Sequence, residues 1–423
     1  MRRILFAPIL MAGLLFAGCD SDSNPADSSS ETTVITGRVT DENAVAKQGD
    51  VENAKVSARE IDDSGAVQPS EGETTTDENG TYTLETQADA DVMMVVATKN
   101  GFEGRTLATA NGTARAVSAM NINAETTAEA DVYVAAKQQD GNNEPVTPAD
   151  VALFVDSRAA ADLQSSATTN AQIAAAIRAA VEAEGRWMRH QANESDATLE
   201  LMVSEKARVF GELQSSLHAD ATAQARANAM AAFESSMASV HTDAGVDAET
   251  SAHSRQVARI TLEALSSGLS AQARFALRQR AHLLEADATG EAVVSAFQGH
   301  ATASARATAV ASSAAALRAS LLSAQSEAEM NAAWDDFASD VAVEVNGGLN
   351  LGLDLSALVS GALGNARAAF NAQVNSSSSV DAIIDAKAQF ESEAKAALES
   401  NSSIQASGNA EFTANVMTIV SAR

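Results

Sequence analysis

Cysteine is all but absent: among 423 residues only Cys19 carries a thiol. That excludes an intramolecular disulfide and a thiolate-rich metal site. Positive charge is scarce too, with 28 Lys+Arg against 56 Asp+Glu and a formal net charge of −28. Such a balance excludes nucleic acid as a partner, because phosphates need a basic face. It also argues against adsorption to anionic lipid. Lysine is the scarcer base, at 7 against 21 Arg. Acid excess with little lysine is the composition of proteins soluble in concentrated salt, where carboxylates hold water and counter-ions. On an ordinary acidic envelope protein the same charge would serve solubility alone.

Catalytic signatures are missing as well. No serine lies in a Gly-x-Ser-x-Gly elbow, and there is no Walker loop or Gly-x-Gly-x-x-Gly helix start. The six histidines (190, 218, 241, 253, 282 and 300) stand singly, no two of them three or four apart. None therefore forms a metal pair on one helix face, and solvated or partly packed imidazoles are expected. Asp335-Asp336 and Glu391/Glu393 are uninformative in so acidic a chain, and Trp187 and Trp334 read as helical core residues. No cofactor is expected and an enzyme is the weakest function class. It would need a buried His–acid–nucleophile cluster drawn from distant segments.

What is present begins with an address. Met1-Arg2-Arg3 is basic, and an apolar run from Ile4 to Phe16 follows. Its length suits a signal-peptide core and is too short to span a bilayer. It ends in Leu15-Phe16-Ala17-Gly18-Cys19, which resembles the lipobox of bacterial lipoproteins. Phe16 departs from that pattern, in which Leu is commoner three places before the cysteine. The resemblance implies cleavage before Cys19 and acylation of its thiol, giving a stable membrane anchor. Residues 1–18 are then the signal peptide, and the Ser- and acid-rich residues 19–33 a flexible tether. Acidic residues directly after Cys19 resemble both an inner-membrane retention signal and a surface-export signal.

From Val34 to about Ala136 short β-prone runs alternate with turns. They are Val34–Thr40, Lys55–Arg59, Thr74–Thr76, Thr81–Glu85, Val92–Thr98, Phe102–Ala108, Val117–Ile122 and Asp131–Ala136. About eight short strands in that length predict a β-sandwich. Asn79-Gly80 predicts a hairpin through a primed turn, and Val92–Thr98 predicts a buried strand. Ile35-Thr36-Gly37-Arg38-Val39-Thr40-Asp41, Ala54–Ala58, Thr76-Asp77-Glu78-Asn79-Gly80-Thr81-Tyr82-Thr83-Leu84 and Lys99-Asn100-Gly101-Phe102-Glu103 resemble the carboxypeptidase regulatory-like family. That resemblance implies a transthyretin-like or carbohydrate-binding-like sandwich over residues 34–137, serving as a non-catalytic accessory module.

Within this segment Asp77 and Asn79, with Glu78, are weak calcium candidates, since the loop lacks the further oxygens of a complete site. A solvated turn is the simpler reading. Tyr82, Phe102 and Tyr133 are the only rings available to a sugar, and all fit inward-facing positions. A Lys–Asn isopeptide bond is excluded, because the first strand carries Arg38 and no lysine.

Residues 138–147 read as a linker, with Thr147 as N-cap, Pro148 at the first helical position and Asp150 in the first turn. Residues 148–423 form an Ala-rich helical domain, with Ile173, Ile177 and Val181 at helical spacing. Breaks are expected near Gly245, Gly268, Gly290, Gly347-Gly348 and Ser376–Ser379. Phenylalanines about twenty residues apart (Phe210 and Phe233, Phe275 and Phe297, Phe370 and Phe390) suggest a degenerate helix–turn–helix repeat. Biased composition alone would also produce one. Val341–Val345 and Leu349–Leu355 alternate with period two, as in a hairpin or a Gly-broken helix end.

The fold class expected is therefore multidomain α+β, a small N-terminal antiparallel β-sandwich followed by a long Ala-rich all-α bundle or helical array. The function expected is that of a lipid-anchored cell-envelope protein, on the outer membrane rather than the inner one. Its role would be structural, adhesive or binding, with an unknown protein or glycan partner. The alternative is a glycan- or solute-binding accessory lipoprotein of an uptake system, which exposed aromatics lining a groove would favour.

Overall fold

The computed structural model describes residues 32–41, 49–87, 90–110, 116–139, 145–156, 159–160, 167–217, 223–351, 363–377 and 379–421. Two sheets lie at the N-terminal end. One has the order β6 (Thr81–Thr86), β1 (Thr33–Arg38), β9 (Ala116–Ser118), with β1 antiparallel to β6 and parallel to β9. The other is antiparallel, in the order β5 (Val67–Thr75), β4 (Lys55–Ile61), β7 (Val92–Lys99), β8 (Phe102–Thr109). A short pair, β2 (Thr40–Asp41) and β3 (Gly49–Asp50), completes the set. A mainly antiparallel sandwich followed by helices is the α+β arrangement expected, with the β1–β9 pair as its parallel exception.

Strand β7 shows how the layers stack. Met93, Val95 and Ala97 pack with Ile35, Tyr82, Leu84 and Val117 inside the sandwich. Met94 and Val96, on the opposite face, join Ile61 and Leu107 in a core shared with helical residues such as Val132, Phe154 and Ile177. A strand covered on both faces needs apolar residues at every position, so its sequence runs Val-Met-Met-Val-Val-Ala without alternation. Sandwich and helices belong to one compact unit from Thr32 to Arg423.

The turns correct one expectation and relocate it. Asn79-Gly80 does not close a paired hairpin, because β5 and β6 lie in different sheets. Gly80 alone has a positive φ there, +71°, so the turn is a corner between sheets and not a primed hairpin turn. The primed geometry occurs at Asn100 (φ 46°) and Gly101 (φ 89°), which join β7 to β8 with Lys99 paired to Phe102. Positive φ at both central residues is what that turn requires.

Asp131–Ala136, expected as a strand, belongs to helix α1 (Ala124–Lys137). Asn123 accepts from the Thr126 N–H at 2.9 Å and its own N–H donates to Thr126 Oγ1 at 3.0 Å, a complete capping box. Ala128, Val132, Tyr133 and Ala136 then fall on the buried side, the i, i+4, i+5, i+8 spacing of a helix, whereas a strand would turn Val132 and Tyr133 to opposite faces.

Twelve further helices follow among the described residues: α2 (Pro148–Phe154), α3 (Ala167–His190), α4 (Asp196–Ser216), α5 (Ala223–Asp243), α6 (Ala248–Leu265), α7 (Ala271–Gly299), α8 (Ala307–Ser323), α9 (Glu327–Leu349), α10 (Gly364–Ser376), α11 (Val380–Glu399), α12 (Ser402–Ala406) and α13 (Ala410–Ser421). Helix α2 starts as expected, Thr147 and Asp150 capping each other reciprocally with Pro148 at the first position. Breaks fall at Gly245, Gly268 and Ser377 but not at Gly290, which lies inside α7. Val341–Leu349 is the end of α9, closed by Asn350 in the left-handed region, so no hairpin forms over those residues. Residues 352–362 lie outside the described residues.

The phenylalanine pairs do not share one geometry. Phe370 and Phe390 lie on consecutive helices with rings 5.3 Å apart, whereas Phe275 and Phe297 are on the same helix, α7. Of the sandwich rings, Tyr82 is 2 % exposed and its Oη is buried without a hydrogen-bond partner. Burial pushes its phenol well above the ordinary range. Removing an unmatched buried hydroxyl relieves its desolvation. Tyr82→Phe is therefore expected to be neutral or to stabilise by up to about 1 kcal/mol. A loss of stability on urea unfolding would show that the hydroxyl has a partner after all.

Candidate functional site

The residues singled out in the sequence fall mainly into structural roles. Asp77 Oδ1 accepts N–H groups from Asn79 at 2.9 Å and Thr81 at 2.8 Å, so the carboxylate is committed to shaping its own turn. The Asn79 carbonyl accepts from Arg38 Nε at 3.1 Å, and Arg38 also holds Asp50. Among the described residues no group of three or more His, Cys, Asp or Glu side chains is placed to hold a metal ion. Tyr133 is buried and Phe102 packs against the sandwich core. Cys19 and His218 lie outside the described residues.

The chemistry instead gathers at three buried centres, all touching α6. The first joins five helices. Glu184 on α3 lies 2.8 Å from Arg255 of α6, 3.1 Å from His241 Nε2 of α5 and 3.6 Å from Lys206 of α4. Lys206 in turn reaches Asp150 of α2 at 2.8 Å. His241 Nδ1 lies 2.9 Å from Ser251 Oγ, at the start of α6. Two carboxylates face two permanent cations around an imidazole that is 0 % exposed.

Burial would raise the Glu184 carboxyl, but Arg255, His241 and Lys206 together hold it well below the ordinary carboxylate range. His241 is pulled down to about 4, first by burial and next by the Arg255 charge, against the opposing pull of Glu184. It is thus neutral at physiological pH. Its Nε2 faces the Glu184 carboxylate at 3.1 Å without hydrogen-bond geometry, while Nδ1 shares a hydrogen bond with the Ser251 hydroxyl.

In the second centre Arg259 of α6 meets Glu285 of α7 and lies 2.9 Å from Glu263. His282 Nδ1 accepts from the Trp334 indole N–H at 3.0 Å, so its proton sits on Nε2, 3.0 Å from Glu263. In the third, Lys387 of α11 is fully buried against Glu391, 3.3 Å from His253 of α6 and 5.4 Å from the Trp187 ring. Burial pulls the Lys387 ammonium below its ordinary range, against Glu391. Burial would raise Glu391, but Lys387 and His253 bring it down to about 2.

His241 and His282 correct the expectation of solvated or partly packed imidazoles: both are buried and paired with carboxylates. The sequence carried a signal for these centres that spacing searches for metal pairs do not detect. Glu184 interrupts the stripe Ile173, Ile177, Val181, Met188. Lys206 interrupts Leu199, Met202, Val209, Leu213, and Lys387 sits between Ile383 and Phe390. A charge on an apolar stripe must meet a partner when the stripe is buried.

Glu184, His241 and Ser251 stand in the order carboxylate, imidazole, hydroxyl that acyl transfer uses. Ser251 is only 2 % exposed, so an acyl group would reach Oγ only if helices separated. As packed, the three act as a clamp between helices. The side of the centre nearest the surface floors a cleft of about 470 Å³ between α3 and α4, with Glu184 and Lys206 at its base. Val181, Leu199 and Met202 form its walls, and the Arg189–Asp196 pair (2.9 Å) lies at its mouth. A wider cleft of about 850 Å³ lies where the sandwich meets α1, α2 and α4. Glu60, Asp62, Asp63 and Asp91 line its sandwich side, and Lys137 and Arg208 its helical side.

No family model, curated protein or solved structure matches the chain.

Proposed function

We propose that this chain is a lipid-anchored protein of the cell envelope, held through Cys19 and on the outer membrane rather than the inner one. It would present its sandwich and helices for a structural, adhesive or binding role without catalysis. The observation that carries this reading is the shared core: Met94 and Val96 of the sandwich pack with Val132, Phe154 and Ile177 of the helices. A module seated in such a core cannot swing independently, which suits a body that holds a surface at a set place beyond a tether. The apolar run ending at Cys19, followed by an acid- and Ser-rich stretch, supports the anchor. Among the described residues no helix is long and apolar enough to cross a membrane.

The motifs quoted for the carboxypeptidase regulatory-like resemblance fall on β1, β4, β6 and the β7–β8 turn. We propose the same accessory role for the sandwich. The charge of −28 favours basic or neutral partners over acidic ones, and suits a salt-rich setting. A second reading, a glycan- or solute-binding accessory lipoprotein of an uptake system, is favoured by the clefts around the helical body.

The test of the anchor is fractionation of cells making the wild-type chain or Cys19→Ser. Wild type is expected in the membrane fraction with labelled palmitate incorporated, and the variant in the soluble fraction without label. Equal membrane retention of the variant would overturn the anchor. Protease treatment of intact cells then separates faces, since fragments starting beyond Thr33 would be released only from a surface-exposed protein.

A further inference from the structure

A third groove lies at the opposite end of the sequence from the sandwich, where the C-terminus of α7 meets the start of α13 and the first turn of α6. It encloses about 430 Å³, within the usual range of small-ligand sites, roughly 300–1,000 Å³. Its aromatic wall is built. Phe412 is partly exposed, lies against His300 at a 36° tilt with centroids 4.3 Å apart, and is braced edge-on by the buried Phe297 at 5.3 Å. His300 Nδ1 accepts from the Ala303 N–H at 3.3 Å, which leaves the ring proton on Nε2 as a donor.

Around this wall stand polar groups with spare capacity. Among the described residues Glu249, Glu411 and Asn415 line the groove without a hydrogen bond or ion pair of their own. Asn409 is oriented by its Nδ2, which donates to Ser407 O at 2.9 Å. A Cβ built on Gly299 or Gly408 would meet nothing within 4 Å, so the space beside both is open.

We infer that this groove binds a saccharide, uncharged or amino-bearing. A sugar ring offers an apolar C–H face to an aromatic and hydroxyls in its plane to carboxylates and amides, which is the set assembled here. Among the described residues the groove is lined by two carboxylates and no Lys or Arg, a set that repels anionic sugars and accepts hydroxyl or ammonium donors. A flat apolar ligand would leave Glu249, Glu411 and Asn415 desolvated without partners. This gives the binding role proposed above its ligand class and rests on that reading only for where the ligand is met. The experiment uses the unlipidated chain, so a failed anchor and a failed groove are separate results.

The Cys19→Ser chain is titrated by calorimetry and saturation-transfer NMR. The probes are β-1,4- and α-1,4-linked glucose trisaccharides, the β-1,4 trimer of N-acetylglucosamine, and glucosamine. At least one is expected to bind with transfer to the Phe412 ring. Glu411→Gln and Asn415→Ala, both at the groove surface, are each expected to weaken it about 10-fold, as the loss of one charge-assisted or one neutral bond at a desolvated site does. Gly299 ends α7 without a positive φ, so Gly299→Phe is expected to fill the groove and abolish binding with an unchanged unfolding midpoint. Binding that survives Gly299→Phe, or no binding by any of the four probes, would overturn the inference.

Discussion

Replacing Glu184 with alanine is expected to cost about 3–5 kcal/mol of stability, the range for breaking a buried ion pair from one side. The carboxylate is the common partner of Arg255, His241 and Lys206, contributed by three different helices. Without it Lys206 still reaches Asp150, while Arg255 loses its carboxylate partner at 2.8 Å. Urea unfolding of the Cys19→Ser chain reads the effect. The control is Glu205→Ala, since Glu205 pairs with the half-exposed Arg208 of its own helix; a loss within about 0.5 kcal/mol is expected there. If Glu184→Ala costs no more than the control, the clamp is not what joins these helices. Lys206→Met is also expected to cost less in the Glu184→Ala background than alone, because the two side chains share one centre.

Acid is expected to weaken the fold in two stages. His241 stays neutral down to about 4 in the folded chain, whereas an unfolded imidazole takes its proton near 6.5. Between those values the unfolded chain binds the extra proton, so stability is full above pH 6.5 and falls as pH drops towards 4. The difference is worth roughly 3 kcal/mol over that window. Glu391, held at about 2, adds a second loss as pH falls from its unfolded value near 4.5, and Glu184 and Glu263, both depressed, add to it. The charged and titratable groups around His241 are Glu184 of α3, Lys206 of α4 and Arg255 of α6. His241→Gln is expected to flatten the slope between pH 6.5 and 4.5 while leaving the steeper acid limb. An unchanged slope in the variant would assign that first stage to another group.

Local signals in the sequence were reliable where the physics is local. Thr147, Pro148 and Asp150 mark the start of α2 because a cap is satisfied within one turn. Gly245, Gly268 and Ser376–Ser379 mark breaks because few side chains there support a continuing helix. The unbroken apolar run of β7 marked a buried strand, and the packing shows which cores cover its two faces.

Tertiary structure decided the rest. Asn79-Gly80 and Asn100-Gly101 carry the same turn preference, and only the partners of the flanking strands make the second a hairpin and the first a corner. Val132, Val134 and Ala136 alternate as in a strand, but the capping box at Asn123 and the contacts of Val132, Tyr133 and Ala136 with the helical core make this stretch helix. The charged centres were visible only as charges on apolar stripes. Their partners lie far along the chain, Glu184 with Arg255 and Lys206 with Asp150, and His253 with Glu391. A lone buried charge is prohibitive and a paired one tolerable. The sequence therefore determines that each such residue must find a partner, and the packing of the helices determines which.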